Sequence, residues 1–420
     1  MVKLKIIPAI VCVGVSMVTA PGSVQAQQHE ILDGRIASLQ VTVDDNWQSL
    51  PVMSLNGNSR INIDFDDMTH EYTRYTYRIE HCEADWTVSE YLFESDYLRG
   101  FAEGNIIEDS EESFNTSHLY THYSLQIPNS DCRPTMSGNY RVTIMDEDDD
   151  NRPVLTACFM ISEQCVPLTI GILTDTDRDI RNRHQQLTIE LKYNGLRVVD
   201  PETQIKTVVM QNRRWDNCRV NIQPQYKMYD GLRWHHCRDF IFDAGNEYRK
   251  YEILDVDHTT MGLEYLTWDG EAYHAYPYTD EARRNYIYDE DADGAFLIRN
   301  SDNEDCDITC DYVYVHYTLR VPPVLDGRIY VNGDFTYGRF TPQYEMTYDF
   351  AKEQYEGAVL QKQGYYNYQY LMVDRSGVVS TPPFEGNFYQ TENKYQVLVY
   401  YREQGGRTDR LVAYGEGTKN

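Results

Sequence analysis

Residues 77–86, YRIEHCEADW, place an imidazole, a thiol and three carboxylates within ten positions. These are the donor types of a zinc centre or of an acid–base cluster. Zinc needs its ligands at fixed geometry, and His81 and Cys82, as sequence neighbours, point to opposite faces of any continuing strand. The residues upstream do read as a strand. Tyr75, Tyr77, Ile79 and His81 alternate with Arg74, Thr76, Arg78 and Glu80 at a period of two. Glu80, Glu83 and Asp85 are therefore expected where that strand runs out into a loop, with Tyr75, Tyr77 and Ile79 turned into a core and Trp86 folded back on its rim. The expectation is a hydrogen-bonded structural corner, not a metal site.

Two further stretches carry metal-like types. In HLYTHYSLQIP, His118 and His122 are four apart, which makes a zinc pair on a helix, but Leu119, Thr121, Tyr123, Leu125 and Ile127 share one face at period two and the Glu of the metalloprotease motif is missing. In DEDADG, Asp289, Asp291, Asp293 and Gly294 match the first half of an EF-hand loop. The twelfth position is Asn300, where a bidentate Glu is required. A solvated turn is the plainer reading there, as it is for the acidic tip at 145–151. No G-x-S-x-G elbow, Walker loop or strand-linked G-x-G-x-x-G is present. With 66 acidic residues, a pair of carboxylates for glycoside hydrolysis signals nothing. No catalytic, cofactor-binding or metal-ligating residue is assigned, and no cofactor is expected.

The elements that carry these residues are strands throughout. LQVTV, RINIDF, YRVTIM, QLTIEL, YVYVHYTLRV, YNYQYLMV and YQVLVYY are rich in Val, Ile, Thr and Tyr, are bounded by turn residues, and leave almost no helical periodicity. The fold class expected is all-β, with tandem immunoglobulin-like β-sandwiches. Breaks near 162–168 and at the paired prolines of 321–327 divide the chain into a signal peptide (1–26), an N-terminal sandwich (27–162), a middle β-rich domain (163–321) and a C-terminal sandwich (322–420). The first residues have two lysines, a short apolar run and small residues before Ala26, the layout of a cleaved secretory signal. No later apolar stretch is long enough for a membrane helix, so direct membrane insertion is not expected. A net charge of −28 repels phosphate backbones, which excludes nucleic acid as a partner. Eight cysteines remain after cleavage at Ala26, and of their pairings only Cys306 with Cys310, in CDITC, stands out as able to bridge a tight turn. Most of the 36 tyrosines are expected to pack on half-buried sheet faces, with a subset available for contact.

From residue 328, RIYVNGDFTYGRF and the hairpin turning at Gly364 resemble the early-set immunoglobulin-like domains related to glycogen-binding modules. All five tryptophans lie before that domain, and Tyr366, Tyr368, Tyr370 and Met372 fall on one face and read as core. Sugar binding therefore does not follow. RINIDFDDM, YTYRIEHCEADW, SFNTSHLYTHYSLQIPN, FDAGNEYRKYEI, DYVYVHYTL, LQKQGYYNYQY and LVYYREQGGRTDRLVAYG resemble, in content and order, the plug protein of the type IX secretion system of Gram-negative bacteria. That resemblance implies a non-enzymatic periplasmic protein whose partner is the large outer-membrane β-barrel translocon, closed at its periplasmic opening when no cargo is in transit. A periplasmic or surface glycan-binding protein, and a hydrolase using acids on sandwich loops, are the alternatives. Co-purification with an outer-membrane barrel separates the plug from both.

Overall fold

The structure, a computed structural model, describes residues 29–419. The expected signal peptide lies outside the described residues. Strands make up 47% of the chain and helix 6%, so the all-β class and the tandem sandwiches hold.

The first sandwich faces the sheet of Tyr75–Cys82, Gly138–Asp146 and Arg152–Ser162 against the sheet of Ile36–Val43, Ile61–Asp67 and Thr121–Ile127. Its period-two residues do what their spacing dictates. Tyr75, Tyr77 and Ile79 are buried with Phe65, Tyr123, Tyr140 and Val142 in one core. Ile79 pairs with Val142 and Tyr77 with Ile144 across the two central strands.

The second sandwich faces Leu168–Leu173, His184–Lys192 and Gly231–Trp234 against Ile205–Gln211, Lys394–Tyr401 and Arg410–Thr418. The chain thus returns to it at the end. Ile205 lies opposite Tyr401 and Gln211 opposite Tyr395, and Leu187, Val209, Trp234, Tyr395, Val397 and Val412 share a core. Between these two visits the chain builds an 11-stranded sheet. Its core gathers Tyr251, Val315, Tyr317, Ile329, Tyr366, Tyr368 and Tyr370.

The stretch 322–420 consequently does not hold one core of its own. Pro322 and Pro323 sit in a connection between two strands of one continuous sheet, Tyr312–Arg320 and Gly327–Asn332. Strand pattern shows where strands are, not which sheet each one joins, and the last two strands join the middle one. A chain ending at residue 390 removes Tyr395, Val397, Val399, Tyr401 and Val412 from the second core. Differential scanning calorimetry of that truncation is expected to show loss of a cooperative transition. A melt like that of the full chain would contradict this assignment.

Candidate functional site

The expected corner is the junction between the first and second sandwiches. His81 is 1% exposed. Its Nε2–H donates to the Ser137 carbonyl (3.1 Å), which leaves Nδ1 to accept from the Ser89 hydroxyl (2.9 Å). Burial pushes the imidazole down to about 4, against the small upward pull of the Ser137 carbonyl, so it is neutral. Glu83 and Asp409 bind crosswise: the Asp409 amide donates to Glu83 Oε2 (2.8 Å) and the Ala84 amide to Asp409 Oδ2 (3.1 Å). Arg402 bridges both carboxylates, and Lys206 adds an ion pair of 2.8 Å to Asp409. Trp86 packs in a cluster that holds Leu50, Cys158 and Met160 of its own sandwich as well as residues of the second. It lies with Cys82 and Ala84 against Val208, Met210, Leu398 and Tyr400 of the second, its ring edge-on to Trp215 at 5.9 Å. Trp86 takes a left-handed backbone conformation at this turn, with φ +66°. Burial raises the Cys82 thiol to about 12, a packed and inert group.

A second junction joins the first sandwich to the large sheet. Asp66, from Ile61–Asp67, and Lys362, from Gln354–Lys362, are 0% and 1% exposed and 2.7 Å apart. Lys362 Nζ also donates to the Asp307 carbonyl (2.6 Å) and lies 4.2 Å from the centre of the Tyr120 ring. Asp66 accepts from the Tyr312 hydroxyl (2.7 Å) and from His122 Nδ1 (2.7 Å). Burial alone would raise the Asp66 carboxyl, but the Lys362 ammonium and His122 outweigh it and hold it below its ordinary value. His122 is likewise lowered by burial and raised by a larger margin by Asp66, and so favours the imidazolium. His118 lies apart, 4.0 Å from Asp311.

One guanidinium ties all three bodies together. Arg213, which follows the second-sandwich strand Ile205–Gln211, donates to the Gln48 carbonyl of the first sandwich (2.8 Å) and to the Ala292 and Asp293 carbonyls (3.1 and 3.0 Å), and pairs with Asp334 (3.0 Å). It sits in the wall of a cleft of about 650 Å³ lined also by Trp47, Trp215, Tyr248, Tyr337 and Phe340. The DEDADG loop is therefore not a solvated tip along its whole length. Asp289 pairs outward with Lys250 (2.6 Å). Asp291 accepts from the Tyr248 amide and, through Oδ1, from the Asp293 amide (2.8 Å), and burial raises it to about 7. The loop spends its carbonyls on Arg213. Among the described residues no three His, Cys, Asp or Glu side chains gather as a metal site, and no helix is long and apolar enough to cross a membrane.

Sequence reasoning missed Lys362, Asp66, Arg213 and Asp409 as partners. Lys362 and Asp66 are 296 residues apart, so no spacing could have joined them.

Stacked β-sandwiches joined by buried ion pairs define the class of fold. Within it the match is specific: residues 36–163 fit the model of the type 9 secretion system plug protein 1st domain, and the chain belongs to the type IX secretion plug family. Membership connects the protein to type IX secretion. A solved hypothetical protein from Parabacteroides merdae ATCC 43184 is 38% identical over 93% of this chain and 99% of that one, with a TM-score of 0.90. An enterococcal surface protein region and a collagen adhesin from S. aureus, each 8% identical, cover 95% and 91% of this chain at TM-scores of 0.17 and 0.12, and carry no argument. No curated protein matches.

Two outcomes follow from these junctions. Lys362→Met strands a buried carboxylate and is expected to cost about 3–5 kcal/mol, whereas adding Asp66→Asn to it should return part of that loss; denaturant titration of the singles and the double measures both. The folded His81 value lies below the unfolded 6.5, so between about pH 6.5 and 4 the unfolded chain binds the extra proton. His81 thus withdraws stability as pH falls through that window, by roughly 3 kcal/mol in full. His81→Gln should flatten the stability–pH curve there relative to wild type.

Proposed function

We propose that the protein is the removable plug of a type IX secretion outer-membrane translocon, closing the periplasmic opening of the barrel when no cargo is in transit. The observation that carries this reading is the locking of two sandwiches and the large sheet into one body by Asp66–Lys362, Glu83–Arg402–Asp409 and Arg213. A stopper works by keeping its shape, and family membership supplies the setting. No catalytic step is invoked; the work is done by shape and surface. The protein acts in the periplasm after cleavage behind Ala26, docked on the barrel and not inserted in the bilayer. The exposed acidic tip at 147–150 helps to steer docking, so association slows as salt rises while dissociation changes less.

The outer face of the large sheet is aromatic but does not favour glycan binding. Tyr265 stacks on Tyr276 at 4.2 Å and 18°, and Tyr276 on His316 at 4.5 Å and 9°. Stacking occupies ring faces that a sugar would need to lie on.

Affinity purification of the tagged protein from its host is expected to recover an outer-membrane barrel, and deletion of its gene should raise permeability to large antibiotics. Unchanged permeability together with no barrel in the pull-down would defeat the plug reading.

A further inference from the structure

The turn at 305–310 sits against the buried Lys362 and contains two thiols. Cys306–Thr309 forms one helical turn, and the Cys310 amide closes it on the Cys306 carbonyl (3.3 Å). A helical spacing of four places the Cα atoms about 6 Å apart, inside the range that disulfides span. The Cys306 thiol donates a weak hydrogen bond to Asn300 Oδ1 (3.7 Å). Cys306 is half-exposed while Cys310 is 0% exposed, so one sulfur can be reached and the other is held behind it. Both are free thiols in this structure.

The turn makes two bonds to the first sandwich and a third to the junction lysine. Its Asp307 carbonyl accepts from Lys362 Nζ (2.6 Å), its Ile308 carbonyl from the Phe114 amide (2.9 Å), and its Cys310 carbonyl from the Tyr120 hydroxyl (2.8 Å). We propose that Cys306 and Cys310 are an oxidisable pair whose disulfide clamps this turn in the conformation it holds at the junction between the first sandwich and the large sheet.

The oxidant is a donor disulfide, either an oxidised dithiol protein of the cell envelope or oxidised glutathione. Cys306 as its thiolate attacks one donor sulfur; the donor S–S bond breaks and one donor thiol leaves. Cys310 then attacks the Cys306 sulfur, the mixed disulfide breaks, and the second donor thiol departs with the Cys310 proton. Two cysteine thiols lose two electrons, and the donor disulfide gains them. Burial holds the Cys310 thiol up, while the Lys362 ammonium beside it favours the thiolate that the second step needs. The envelope setting rests on the export reading, but the chemistry of the pair does not.

The test uses the full mature chain, purified without reductant, equilibrated with oxidised glutathione, alkylated and mapped by peptide mass. The expected result is a peptide spanning Cys306 and Cys310 that is unalkylated and lighter by two hydrogens. The oxidised protein should also melt a few degrees above the dithiothreitol-treated one, a difference that Cys306→Ser abolishes. Quantitative alkylation of both cysteines after oxidation, or pairing of either with another cysteine, overturns the proposal. A bond that forms without shifting the melt overturns the clamp. None of these readouts involves a secretion barrel, so failure here and failure of the plug reading are distinguishable.

Discussion

A charge that cannot reach water must find its opposite, and in this chain that constraint sets how the bodies meet. Lys362 and Asp66 are both enclosed, and Asp66 is, among the described residues, the one carboxylate within ion-pair distance of Lys362. Desolvating two such ions costs several kcal/mol apiece, so the pair is not a simple gain in stability. What it supplies is intolerance of any other arrangement. A sandwich rotated by a few ångströms would leave an ammonium facing the Tyr120 ring without its carboxylate, and a carboxylate facing the Tyr312 hydroxyl without its ammonium. Arg213 and the Glu83–Asp409 exchange impose the same condition at the other two contacts, so the three relative positions are fixed together.

Tyrosine abundance follows from the same demand. Tyr120, Tyr312 and Tyr400 are buried, yet each sends its hydroxyl across a junction: to the Cys310 carbonyl, to Asp66 and to Asn139. A phenylalanine at these positions would fill the space and leave carbonyl or carboxylate oxygens short of a donor. Within the large sheet Tyr251 and Tyr317 share a hydrogen bond of 2.7 Å in the middle of an aromatic core. The residue brings core volume and a donor on one side chain, which suits interfaces too charged for purely apolar packing.

How much of this the sequence showed depends on range. Period two located the strands and turned Tyr75, Tyr77 and Ile79 inward correctly, because side-chain alternation is a property of a few consecutive residues. The reading of His81 and Cys82 as a structural corner rested on the same local geometry. Partner choice was not local. Asp66 lies in RINIDFDDM, Lys362 in LQKQGYYNYQY, Glu83 in YTYRIEHCEADW and Asp409 in the closing GGRTDRLVAYG, so the stretches that carried the family resemblance are those that meet in space. Nothing in their spacing paired them. The reading of Trp86 was incomplete for a related reason: without the second sandwich in view, only the apolar surface of its own could be named.

Charge serves opposite ends inside and outside this molecule, and the difference is dielectric. At the same separation two unit charges interact several times more strongly near an effective dielectric of 20 than in bulk water, and salt screens exposed charges over about 8 Å at physiological strength. The junction pairs at 2.7 to 3.0 Å are therefore the strongly interacting ones. The acidic surface of a chain with a net charge of −28 acts weakly, at a distance and in a salt-dependent way. A body whose internal contacts do not yield while its external ones remain reversible can seat against a partner and leave it without losing shape. That division requires carboxylates on both sides of the surface and buried cations to meet the inner ones, a role that Lys362 and Arg213 fill.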